Sequence, residues 1–267
     1  MLTNNQTTNL PPHYPIEYIE WSVIFFGREF IVTPDVLIPR LETESLVRHA
    51  RKLLSSTHSP TTIIDIGCGS GIIGTSVADL ADEVIFLDIS PEALQIAEKN
   101  FRMHFPEKKA QFIVSDLLSN LLEKGGVTNE MSDGGLVLEN TDTPIPLSQS
   151  DIPLSQGDRI LFLTNLPYIK QDDWDNMSAD TVHEPRLALF WGESTGFELY
   201  ERLFGQLSRF PRLQHSKSPT LIFEFWFDQR AIAEEILKKY PQWEYSFFAD
   251  YAGVERFGEI NLSTIKA

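Results

Sequence analysis

The chain has 267 residues, 42% of them hydrophobic, which is enough for one large α/β domain with a sizeable core. A net charge of −16 argues against a nucleic-acid duplex as the main partner, because phosphate binding needs clustered Lys and Arg. A single cysteine excludes a disulfide framework, the polar start MLTNNQTTNLPP has no signal-peptide core, and no apolar run is long enough for a membrane span; a cytoplasmic protein is expected.

Residues 1–13 are polar and are expected to be disordered. Residues 14–36 carry Tyr18, Trp21, Phe25, Phe26 and Phe30 around Gly27, which predicts a small hairpin lying over the main domain. Pro39 interrupts the extended stretch, and a helix is expected from about Glu42 to Leu54, with Leu46, Val47, Ala50, Leu53 and Leu54 as its buried stripe. The segment 14–44 then reads as a flap and 45–267 as the main domain. Thr61 to Ile66 reads as a strand, Glu83 to Asp88 as a second and Gln111 to Val114 as a third. Ser90-Pro91 is a helix start between the last two.

Residues 121–158 hold seven acidic residues, one lysine and the repeated IPLSQ at 145–149 and 152–156. This composition predicts a solvated, flexible insertion. Order resumes with a strand at Ile160–Leu163, a helix over Gly196–Phe210 and a strand over Thr220–Phe227. A helix capped by Asp228 and running to about Tyr240 follows, then a closing antiparallel hairpin. Strands alternating with helices predict a mostly parallel sheet with one reversed strand.

The chain is organised around TTIIDIGCGSGIIG, residues 61–74. Gly67, Gly69 and Gly71 let the backbone turn tightly and approach a ligand, with Cys68 and Ser70 as small residues between them. Asp65 ends the strand where a carboxylate can meet a cation or hydroxyl. Asp88 ends the next strand, where it could accept ribose hydroxyls. Asp65 would repel a phosphate, and Ile72-Ile73 follow Gly71 directly, so the pattern favours a positively charged nucleoside without phosphate: S-adenosylmethionine. Asp116 would hold the exocyclic amine of its adenine and Leu117 would pack on the ring.

Asn165-Leu166-Pro167-Tyr168 supplies the second substrate's site. A planar amide or aromatic amine is a poor nucleophile because its lone pair is delocalised. The Asn165 side-chain oxygen and the Leu166 carbonyl could accept its two N–H hydrogens and hold it for methyl transfer. Pro167 stiffens the turn and Tyr168 offers an aromatic wall. The six histidines show no metal-binding spacing, so no metal is expected.

These stretches together resemble the HemK/PrmC family, methyltransferases of the glutamine nitrogen in the GGQ motif of peptide chain release factors. The matching segments are VLIPRLETE (36–44), DIGCGSGIIG (65–74), DISPEALQIAEKN (88–100), SDLL (115–118), TNLPYI (164–169), HEPRLALFWGESTGFELYERL (183–203) and FEFWFDQR (223–230). The resemblance implies a seven-stranded class I methyltransferase sheet, S-adenosylmethionine as cofactor, a release factor as protein partner and a monomer. It places Arg40 and Glu42 on the flap beside the substrate and makes Glu184-Pro185-Arg186 a structural brace. Two departures stand out. The family's NPPY is NLPY here, the form seen in rRNA adenine dimethyltransferases, so adenine N6 is a rival substrate. The family's helical recognition domain precedes the region near Tyr18, where 17 residues cannot build it. A cofactor-binding scaffold without turnover is the third alternative.

Overall fold

The computed structural model describes residues 10–56, 59–122, 158–170, 173, 177–192 and 194–263. The anticipated disordered start and acidic insertion therefore lie largely outside the described residues, at 1–9 and 123–157. Residues 11–14 form a turn instead, Tyr14 N donating to the Pro11 carbonyl at 3.3 Å, with the Pro12 carbonyl 3.0 Å from His183 Nε2 and the Tyr14 ring against the His183 ring. Leu121 and Leu122 belong to a short helix rather than to the insertion.

The chain opens with α1 (Ile16–Glu20), then the hairpin β1 (Ser22–Phe25) and β2 (Arg28–Ile31). The turn places Phe26 and Gly27 both at positive φ, the geometry that matches hairpin twist. The predicted hairpin thus occupies only the middle of 14–36, because Ile16–Glu20 closes into one helical turn whose Tyr18 donates to the Val36 carbonyl at 2.7 Å. Then follow α2 (Thr43–Ser55), β3 (Thr61–Ile66), α3 (Ile72–Val77), β4 (Glu83–Asp88), α4 (Pro91–His104), β5 (Ala110–Val114) and α5 (Ser119–Leu122). From residue 158 onward come β6 (Arg159–Thr164), α6 (Arg186–Leu189), α7 (Glu198–Leu207), β7 (Lys217–Glu224), α8 (Arg230–Leu237), β8 (Glu244–Ala249) and β9 (Glu255–Asn261).

Seven strands form one sheet in the order β5-β4-β3-β6-β7-β9-β8, parallel from β5 through β7, with β9 the single reversed strand. Both faces of the central strands are covered, so each strand reads as a continuous apolar run. The period of two divides them: Ile64, Ile66, Phe162 and Phe223 pack toward α7 and α8. Ile63, Leu161, Leu163 and Ile222 pack toward α2, α3 and α4. Chain order reverses at β3, with β4 on one side and β6 on the other. Such a switch point opens a crevice at the carboxyl ends of the strands.

The helix expected to start at Asp228 begins instead at Arg230, with Gln229 at its N-cap position and no side-chain cap. The Gln229 amide is fully used elsewhere: Nε2 donates to the Tyr168 and Thr195 carbonyls and Oε1 accepts from Trp226 N. It ties the end of β7 to the loop after β6.

Candidate functional site

A cavity of about 320 Å³ lies at the carboxyl ends of β3, β4, β5 and β6. Gly67, Cys68, Gly69 and Ser70 form one wall, Asp88 and Ser90 a second, Ser115, Asp116 and Leu117 a third. Asn165, Leu166 and Pro167 close it opposite, under Arg40 and Thr43. The structure thus brings together most of the residues that the sequence singles out, from five separate segments.

Gly69 sits at φ +52, and a Cβ there would enter open space, so the bare backbone forms a cradle that any side chain would fill. Gly71 has a different duty. It does not line the cavity, and a Cβ on it would stand 2.8 Å from Ala97 Cβ, so its absence lets α4 approach the loop. The Cys68 thiol is buried, and burial holds its pKa well above the ordinary thiol value.

Asp65 also departs from expectation. It is 1% exposed and is not a cavity residue; its Oδ2 accepts the Gly74 N–H at 2.7 Å, satisfying an orphan donor of the first turn of α3. Burial is the main cause that pushes its pKa up to about 8, with Asp88 adding to the shift and the Gly74 bond opposing it. The carboxyl meets a helix rather than a cation.

Asp88 does face the cavity. Its Oδ2 accepts from Gly69 N at 2.8 Å and its Oδ1 from Ser90 N at 2.9 Å, which fixes the carboxylate against the glycine loop. Burial raises its pKa against these bonds. Each oxygen keeps lone-pair capacity for a further donor. Asp116 is half exposed and shares its Oδ2 with Arg202 Nη2 at 2.6 Å. Leu117 adopts φ +54, a left-handed conformation rare for a leucine, and is 6% exposed on the cavity wall.

The loop after β6 has a consistent polarity. Asn165 Nδ2 donates to Thr43 Oγ1 at 3.4 Å, and Leu166 N donates to the Tyr200 hydroxyl at 3.0 Å. Tyr200 in turn donates to the Glu224 carbonyl. The donors are tied back into the protein, while Asn165 Oδ1 and the Leu166 carbonyl have no hydrogen bond among the described residues. Tyr168 turns away from the cavity: its hydroxyl is 3.5 Å from Glu224 Oε1 and its ring is 5.6 Å from that of Trp226.

Over this loop, Arg40 Nη2 pairs with Glu184 Oε1 at 2.6 Å, and Glu184 Oε2 accepts the Ile38 N–H at 3.0 Å. Glu184 therefore pins the segment carrying Arg40; burial pushes its pKa up and Arg40 pulls it down. Glu42 is not a cavity residue and occupies the N-cap position of α2 without a side-chain cap. Glu44 accepts from Phe26 N at 3.0 Å, joining α2 to the hairpin.

Sequence reasoning passed over Thr43, Tyr200 and Glu224. Thr43 hid inside a helix start and Tyr200 inside an apolar helical stripe. Glu224 left a signal: a lone carboxylate in the apolar run TLIFEFWF, where an unpaired acid is costly and so marks a purpose. Among the described residues no group of His, Cys, Asp and Glu has a metal-holding arrangement. No described helix is long and apolar enough to cross a membrane.

Comparisons with known proteins agree with this architecture. A family model described as "Methyltransferase small domain" matches residues 43–126, from the start of α2 to just beyond α5. The release factor glutamine methyltransferase of Staphylococcus aureus is 32% identical over 248 residues, covering 91% of this chain and 74% of the relative. That of Enterococcus faecalis is 31% identical over 247 residues, with the same coverage of 91% and 74%. Among solved structures, the hMettl16 catalytic domain in complex with the MAT2A 3′UTR hairpin 6 superposes with a TM-score of 0.53. It is 12% identical and covers 92% of this chain and 88% of its own, a likeness of fold alone. With a methyltransferase sheet, a cavity at its switch point and such relatives over nine-tenths of its length, the chain belongs to the release factor glutamine methyltransferase family.

Proposed function

We propose that this protein methylates the side-chain amide nitrogen, N5, of the glutamine in the GGQ motif of a peptide chain release factor, with S-adenosylmethionine as cofactor. The observation that carries the reading is the polarity of the loop after β6. Two carbonyl oxygens, Asn165 Oδ1 and Leu166 O, are left to accept, while the neighbouring donors are engaged by Thr43 and Tyr200. A primary amide offers two N–H hydrogens, which is the complement of that pair. A leucine in place of the family's proline at 166 keeps the carbonyl, and its side chain is 3% exposed against the glycine loop.

The cavity fits the cofactor. The open cradle at Gly69 admits a ligand against the backbone, Asp88 can accept hydroxyls, and Leu117 with Ile89 gives apolar surface for a base. Asp116, held by Arg202 through one oxygen, has the other for an amine. Bound there, S-adenosylmethionine supplies a methyl carbon activated by its sulfonium. Asn165 and Leu166 orient the acceptor nitrogen, and their dipoles favour the positive charge that develops on it. Pro167 walls the site; Tyr168 supports the loop from behind rather than facing the substrate.

Residues 14–44 act in this reading as a flap, with Arg40 beside the substrate and held by Glu184. A substrate used in translation places the enzyme in the cytoplasm. The test is transfer of labelled methyl from the cofactor to a purified release factor, beside one whose GGQ glutamine is alanine. Label on the first alone is expected, and Asn165→Ala should lower the rate by roughly a hundredfold or more. No transfer to either factor by a protein that binds the cofactor would overturn the reading.

A further inference from the structure

Trp191 lines the cavity and serves none of the roles assigned so far. It follows α6 and is half buried, packed against the apolar core. Its backbone runs beside the loop after β6: Ile169 N donates to the Leu189 carbonyl at 3.1 Å, and Trp191 N to the Ile169 carbonyl at 3.2 Å. The chain then turns at Gly192, at φ +83, where a Cβ would strike the Glu198 carboxylate. Glu198, from the start of α7, accepts the Ser194 and Thr195 N–H groups through Oε1 at 3.0 and 2.9 Å. The segment that carries the ring is therefore fastened on both sides, and such preorganisation lowers the cost of binding.

The neighbours of the ring show which end of the cavity it walls. The Arg202 guanidinium lies over it, 5.8 Å from the ring centroid, within reach of a cation–π contact. The same guanidinium donates from Nη2 to Asp116 Oδ2 at 2.6 Å. Leu199, one turn before Arg202 on α7, also lines the cavity, as do Asp116 and Leu117. Trp191 thus stands at the Asp116 end. The ion pair is about half exposed at both partners and contributes little stability by itself. What it does is set a carboxylate that can accept an amine at a fixed relation to an aromatic ring that can cover a base.

We propose that Trp191, backed by Arg202, is the stacking wall for the adenine of the cofactor. The assignment rests on the reading of S-adenosylmethionine as the group bound here. Adenine offers a flat π face, which every base has, and an exocyclic amine, which distinguishes it. A stack on Trp191 supplies affinity and is indifferent to the base's edge, whereas Asp116 accepts from the amine. Affinity for the base and choice of the base are then divided between two residues that share one guanidinium.

The test is binding, by calorimetry and by tryptophan fluorescence. Trp191→Ala should weaken S-adenosylhomocysteine roughly fivefold to a hundredfold, the range of one base–aromatic stack. Trp191→Phe keeps an aromatic face and should hold the affinity within about threefold. An indole stacked on a purine loses emission, so the ligand should quench the wild type, and Trp191→Phe should lose most of that quench. S-inosylhomocysteine, with a carbonyl in place of the amine, separates the two roles. Trp191→Ala should weaken it by the same factor, while Asp116→Ala should weaken the adenosyl ligand alone. Should Trp191→Ala fold poorly, Trp191→Leu keeps an apolar side chain without the π face and should bind severalfold less tightly than Trp191→Phe. Unchanged affinity in Trp191→Ala, or a quench in Trp191→Phe as large as in the wild type, would overturn the assignment. A wild type that binds no S-adenosylhomocysteine would overturn the proposed cofactor and the assignment with it. One that binds with a quench dependent on Trp191, yet methylates no release factor, would overturn the proposed function alone.

Discussion

At the scale of single residues, Asp65 shows how a motif acid can be read correctly for place and wrongly for partner. Its spacing before the glycines put it at the end of β3, but the outward or inward turn of a strand-end side chain is decided by packing. Here the inward turn serves Gly74, whose own missing Cβ makes the room: one added there would stand 2.9 Å from Asp65 Oδ2 and 2.7 Å from the Phe86 ring. The folded-state pKa of about 8 stands above the ordinary 3.8, so the folded protein keeps a proton that the unfolded chain has released. Stability from this group is therefore fully present below the unfolded value and is lost as pH rises to about 8. Asp65→Asn has no such ionisation and can still accept the Gly74 N–H. Its stability relative to wild type, measured by urea unfolding, should rise from pH 4.5 to 8 by on the order of 1 kcal/mol per pH unit and level off above. A gap that stays constant over that range would show that the carboxyl is not protonated in the folded state.

At the scale of elements, the strands and the glycine loop were legible because buried parallel strands must be continuous apolar runs and because Ser90-Pro91 fixes a helix start; Ser90 Oγ does accept from Ala93 N at 3.1 Å. Less legible were the attachments between elements, since these depend on residues far apart in sequence. The hairpin is the clearest case. Asn100, in the middle of α4, accepts from Ile31 N at 2.7 Å and donates to both the Ile31 and Ser70 carbonyls at 2.9 Å. One fully buried amide thus joins β2, α4 and the glycine loop. In the sequence it is only the polar end of an apolar stripe. Asn100→Ala would take this partner from the buried Ser70 carbonyl and from the part-buried Ile31 N–H and carbonyl, and at about 1 kcal/mol each the loss should be roughly 3 kcal/mol. Chemical denaturation measures it, and cofactor affinity should fall as well, because the Ser70 carbonyl belongs to the cradle. An affinity unchanged beside a large loss of stability would mean that the loop holds its shape without the hairpin.

At the scale of the whole molecule, the cavity exists because the sheet reverses its chain order at β3, so a ligand there touches both the β3-β4-β5 half and β6. That much follows from alternating strands and helices. The choice of acceptor does not, because the same sheet is shared with proteins as distant as 12% identical. The site should divide accordingly into a cofactor half around Asp88 and a substrate half around Arg40, Glu184 and Asn165. A ligand that binds only the folded state at a hundred times its Kd stabilises it by about 2.7 kcal/mol, which for a chain of this size raises Tm by roughly 5–10 °C. S-adenosylmethionine should give a rise of that order in the wild type. Asp88→Ala should abolish the rise, since it removes both the hydroxyl acceptor and the carboxylate that steadies Gly69 N. Glu184→Gln should keep the rise, because it frees Arg40 on the far wall without touching the glycine loop, yet it should slow methyl transfer by weakening the hold on the flap. If both variants lost the thermal shift together, the two halves would be one cooperative unit, and the roles given to Arg40 and Glu184 would have to move to the cofactor.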